Sequence, residues 1–167
     1  TDKGASWTLM TAGATWPARR LANSVVTPDG SILLIGGYNS AYKNDVWRSS
    51  DNGATWTRVT AGANWSVRSE QASVMMPDGS IVLMGGIYST TFKNDVWRST
   101  DSGATWTQMN ASAGWAARKH PSCVVMLDGS IVLMSGSSST GYKNDVWRST
   151  DNGATWTQLT ASAEWTP

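Results

Sequence analysis

An all-β array of repeated units is the fold class that the sequence predicts, on three observations. Near-copies of one string recur: KNDVWRSSDNGATWTR from Lys43, KNDVWRSTDSGATWTQ from Lys93 and KNDVWRSTDNGATWTQ from Lys143. Aligned on them, Asp51, Asp101 and Asp151 stand 50 residues apart, and a period of that length marks stacked supersecondary units. Apolar residues nowhere recur at helical spacing, while Gly, Ser and Thr punctuate the chain throughout. Short apolar runs are joined through Asp-Gly, a strong hairpin signal.

Each unit reads as four strands. The first (SVVT, SVMM, CVVM) turns through P-D-G-S or L-D-G-S into the second (SILLIGG, SIVLMGG, SIVLMSG). The third is DVWRS, and the fourth is TWTRV, TWTQM or TWTQL. Continuous runs such as IVLM predict strands buried on both faces, whereas DVWRS and TWTQL alternate and should bury one. Four-stranded sheets stacked face to face around an axis satisfy both patterns, which is a β-propeller. The predicted blades are 17–60, 61–110 and 111–167. Asp2 opens a partial repeat over 1–16, which adds a fourth-type strand near Trp7 and brings the expected total to thirteen strands.

The order R-x4-SVV, an apolar run ending in Gly36-Gly37 or Gly85-Gly86, an aromatic (Tyr42, Phe92, Tyr142) and then N-D-V-W resembles the kelch repeat. That resemblance implies four-stranded propeller blades. The third unit departs from it, with Ser135-Gly136 in place of Gly-Gly. The S-x-D-x-G-x-T-W stretches at Ser49–Trp56, Ser99–Trp106 and Ser149–Trp156 are similar to the Asp-box of sialidases and other propellers. Kelch and Asp-box proteins share no single function, so the fold alone names no activity.

In such a corner Asp51, Asp101 and Asp151 accept hydrogen bonds from turn amides. Gly53, Gly103 and Gly153 supply positive φ, and Trp56, Trp106 and Trp156 begin the next strand. One carboxylate per loop is too few for a calcium site, so the corners read as structural and no metal is expected. All eleven tryptophans occupy repeat positions: Trp7, Trp56, Trp106 and Trp156; Trp16, Trp65, Trp115 and Trp165; Trp47, Trp97 and Trp147. Burying one removes roughly 150–250 Å² from water, worth several kcal/mol at about 25 cal/mol/Å², so inter-blade stacking is the economical reading. Sugar stacking stays open for Trp16, Trp65 and Trp115. Arg19, Arg68 and Arg118, three residues further on, are placed for a cation–π stack or for a ring of charge at the channel mouth.

Composition removes several classes. With 13 basic and 12 acidic residues the formal charge is +1, which supplies no field for nucleic acid. No apolar run approaches the roughly 18 residues that span a bilayer, and TDKGASW has no signal-peptide pattern. The single cysteine, Cys123, excludes an internal disulfide, and the low charge with abundant Ser, Thr and Trp would suit a secreted or cell-surface protein. A sialidase-like glycoside hydrolase needs different residues on different blades, and Arg19, Arg68 and Arg118 are copies. A galactose-oxidase-like copper site needs more than the one histidine, His120, present with Cys123. No catalytic residue and no cofactor is expected.

The repeats agree on one face and differ on the other. Antiparallel order puts the D-G-S and Asp-box turns together. The opposite loops carry YNSA, IYSTT and SSSTG with Arg20-Leu21-Ala22, Ser69-Glu70-Gln71 and Lys119-His120-Pro121. Loops on a rigid scaffold are the usual home of binding. The expected recognition residues are therefore Arg20, Tyr38, Glu70, Gln71, Tyr88, Lys119 and His120, for glycan or protein, against drift in loops that do no structural work. Three blades are fewer than the four to eight of a closed ring, so self-association is expected. Two copies giving six blades come first, three giving nine second and an open assembly third. Near-identical units also fit an engineered or recently amplified propeller without an evolved ligand.

Overall fold

The structure is a computed structural model and describes residues 4–165. Asp2, on which the partial repeat was aligned, lies outside them. The first unit forms β1 (Asn23–Val26), β2 (Ile32–Tyr38), β3 (Tyr42–Ser49) and β4 (Thr57–Thr60). The second forms β5 (Ala72–Met75), β6 (Ile81–Met84), a short hairpin of β7 (Ile87–Tyr88) and β8 (Thr91–Phe92), then β9 (Val96–Ser99) and β10 (Thr107–Asn110). The third forms β11 (Arg118–Lys119), β12 (Ser122–Val125), β13 (Ile131–Met134), β14 (Ser137–Ser138), β15 (Gly141–Tyr142), β16 (Val146–Ser149) and β17 (Thr157–Thr160). Twelve of these strands make three antiparallel four-stranded sheets, β1-β2-β3-β4, β5-β6-β9-β10 and β12-β13-β16-β17. The blades share one register, with Leu34 opposite Trp47, Leu83 opposite Trp97 and Leu133 opposite Trp147.

Two features differ from expectation. Five two-residue strands are added in the loops: β7–β8 and β14–β15 form where the chain leaving the second strand turns back on itself, and β11, ahead of the first strand, pairs with β14. Residues 4–19 form no strand, so the additional fourth-type strand near Trp7 is absent from the isolated chain. A fourth strand hydrogen-bonds to a third, and among the described residues each third strand, β3, β9 and β16, already pairs with the fourth strand of its own blade. Trp7 accordingly stands 90% exposed.

The first strands line up, β1 against β5 and β5 against β12, which places them on the inner side of the arc. The core lies between blades rather than within one. Val25, Leu33, Ile35 and Val46 of the first blade meet Ile81, Leu83 and Trp106 of the second, with Trp65 from the linker. Val74, Met76, Val82, Met84 and Val96 meet Ile131 and Leu133 of the third, with Trp115. All four residues of β6, IVLM, are 0% exposed, whereas the same four letters in β13 bury only Ile131 and Leu133. The middle blade has a neighbour on each side and the third has one.

Candidate recognition face

Blade-to-blade registration is set by one repeated assembly. Trp16, Trp65 and Trp115 meet Trp56, Trp106 and Trp156 edge to face, with ring centroids 5.9, 6.0 and 6.0 Å apart. Arg19, Arg68 and Arg118 lie 5.9, 5.8 and 5.9 Å from the centroids of those linker tryptophans. Their guanidinium groups also donate two bonds each to Asp45, Asp95 and Asp145, whose carboxylates accept from the indoles of Trp47, Trp97 and Trp147 as well. The arginines thus stack and are neutralised, and no ring of free charge forms at the channel mouth. Burial alone would raise the pKa of Asp45, Asp95 and Asp145. The hydrogen bonds and charge of the arginines outweigh it, so all three titrate below the ordinary carboxylate range.

The opposite corners are equally committed to structure. Asp51 accepts from Ser49 Oγ at 2.8 Å, from the Thr55 amide at 2.8 Å and from Thr55 Oγ1 at 2.5 Å, and Trp56 Nε1 donates to the Gly53 carbonyl at 3.1 Å. Asp101 and Asp151 repeat this set with Thr105 and Thr155. Gly103, at φ +89°, leaves 2.9 Å between an added Cβ and Val46 Cγ1, and Gly153 leaves 2.6 Å to Val96. The second and third corners therefore seat their glycines on the third strand of the preceding blade. Among the described residues no cluster of three or more His, Cys, Asp or Glu is placed to hold a metal ion.

The variable face brings the expected recognition residues into two groups. Tyr38 and Tyr42 meet at 4.9 Å between ring centroids, and Tyr42 and Tyr88 at 5.3 Å. Arg20 lies 5.4 Å from the Tyr38 ring, and a hollow of about 510 Å³ opens beside Arg20, Tyr38 and Asn39. The second group is ionic: the Glu70 carboxylate sits 3.1 Å from Lys119 Nζ and 2.8 Å from His120 Nε2, across the gap between the second and third blades. Gln71 joins neither group. It is buried, and its Nε2 donates to the Ile35 carbonyl at 2.9 Å, so it ties the second blade to the first. Tyr42, not among the expected residues, is the centre of the aromatic row; its place as the repeat's aromatic was the signal for it.

The chain contains three kelch-register blades with an invariant side and a variable one, and its sequence matches the KLHDC2/KLHL20/DRC7 Kelch-repeats domain family over residues 2–167. It belongs to that kelch-repeat family. Kelch-repeat domains are in general propeller scaffolds that bind proteins. No curated protein matches the chain.

Proposed function

We propose that the protein is a non-enzymatic propeller scaffold that acts, as an assembly of copies, as a multivalent binding module for protein or glycan through its loop face. The observation that carries this is the division of labour between the faces. Corner aspartates and linker arginines are fully engaged in bonds that repeat from blade to blade. Arg20, Tyr38, Tyr42 and Tyr88 instead form a row of side chains with no such repeated partners, and an open hollow lies beside Arg20 and Tyr38 at one end of it. An aromatic row with a cation at one end suits a sugar ring, which stacks on the tyrosines, or an aromatic or proline-rich segment of a protein. Repeated faces in one assembly link their affinities, which favours multivalent ligands.

The test is a glycan array and a displayed peptide library, screened with the wild-type chain and with a Tyr38→Ser, Tyr88→Ser, Arg20→Ser variant. Hits lost by the variant at unchanged thermal stability support the reading, and hits it retains overturn the site. No hit in either screen supports an amplified scaffold without a ligand. Hydrolysis of a chromogenic sialoside would support the glycosidase reading instead.

A further inference from the structure

We propose that copies join head to tail through a joint that repeats, residue for residue, the two joints already present inside the chain. The inference rests on the reading that the protein self-associates, and it specifies how. On the second blade Met76, Val82, Met84 and Val96 are covered by the third. Their counterparts on the third blade, Met126, Val132, Met134 and Val146, are uncovered or half-buried, and a hollow of about 450 Å³ opens along Met126, Val132 and Leu159. At the other end, Ile131 and Leu133 insert into the second blade, with Val125 packed beside them. Their counterparts on the first blade are Ile32, Leu34 and Val26, of which Ile32 and Leu34 are only half-buried and Val26 is exposed. The two end faces are the two halves of one interface.

The backbone marks the same register. At the first joint the Arg68 amide donates to the Lys43 carbonyl at 3.0 Å, and the Gly37 amide donates to the Arg68 carbonyl at 3.1 Å. At the second, Arg118 does the same with Lys93 at 3.0 Å and Gly86 at 2.9 Å. Beside them Glu70 N–H reaches Leu21 C=O at 3.1 Å, and His120 N–H reaches Glu70 C=O at 2.8 Å; Leu21, Glu70 and His120 share left-handed φ of 59°, 61° and 51°. Carried one step on, Arg19 of one copy pairs with Lys143 and Gly136 of the other, and Leu21 donates to His120. Lys143, Gly136 and His120 line a hollow of about 390 Å³ at the open edge of the third blade, where that segment would lie. Gly53, whose added Cβ would meet nothing within 4 Å in the single chain, then seats against Val146, as Gly103 seats on Val46.

Head-to-tail joining makes a prediction that face-to-face pairing does not. Leu34→Arg spoils the first-blade face and Met134→Arg the third-blade face, and native mass spectrometry reads each variant alone and mixed. Each alone is expected to be monomeric, and the equimolar mixture to form a one-to-one dimer through its remaining pair of intact faces. Val26→Arg and Val124→Arg, at exposed positions of the same faces, replace them if circular dichroism shows either to be unfolded. Association of one variant with itself, or a mixture that stays monomeric, overturns the joint while leaving self-association standing. A monomeric wild-type chain overturns self-association itself.

Discussion

Replacing Asp95 by Asn probes the assembly that registers the blades. Arg68 is 0% exposed and Asp95 15%, and the guanidinium spends its two terminal nitrogens on that carboxylate at 2.6 and 2.7 Å. The remaining bonds of Arg68, to Ser66 and Gly85, do not neutralise it. Asp95→Asn leaves a buried cation without its counter-charge, which costs about 3–5 kcal/mol. For a chain of this size each kcal/mol lowers Tm by roughly 2–4 °C, so a fall of roughly 6–20 °C is expected in calorimetry. The internal control is Arg148→Met, which breaks the pair with Asp128, where the side chains are 39% and 54% exposed. Solvent screens that exposed pair, so its loss is expected to lower Tm far less. Equal losses for the two variants would refute the claim that the buried arginine–aspartate pairs, rather than the exposed ones, hold the blades in register.

Trp65→Ala, at a linker position buried against Trp106, is expected to cost about 3–5 kcal/mol, whereas Trp7→Ala changes stability by less than about 0.5 kcal/mol; urea unfolding separates them. Gly103→Ala should destabilise more than Gly53→Ala in a monomeric background, because both residues have positive φ but only Gly103 has Val46 within 2.9 Å of the added carbon. Thr27 bonds to Asp29 and Thr55 bonds to Asp51 hold those carboxyls at about 2, and Asp78, Asp101, Asp128 and Asp151 are also lowered. Their contribution is fully present above the unfolded value of 3.8 and is lost as pH falls through the folded values. The urea midpoint should therefore hold down to about pH 5 and fall progressively below about pH 4.

Much of the scaffold was legible because it is written locally. Asp-Gly turns, the strand-length apolar runs and the corner at Asp51 depend on neighbours within a few residues, and the structure forms each of them. The second strand's burial on both faces was legible in IVLM only as a potential. β6 realises it and β13 does not, since the letters cannot say whether a further blade is there. The partner of Arg68 lies 27 residues away on another strand, a distance at which sequence spacing carries no geometric signal. Gln71 read as a variable loop residue because its counterparts are Ala22 and Pro121, yet it closes a gap between blades. Tyr42 read as a fold position, and it is also the middle of the half-buried aromatic row that ends at the exposed Tyr88.

The mass of the wild-type chain in solution tests the account most directly. A single chain is 17.9 kDa and leaves two matching apolar faces open. At micromolar concentration a closed assembly is expected, first as two copies and next as three, at a whole multiple of that mass. A stable monomer that neither associates nor aggregates as concentration rises would contradict the account.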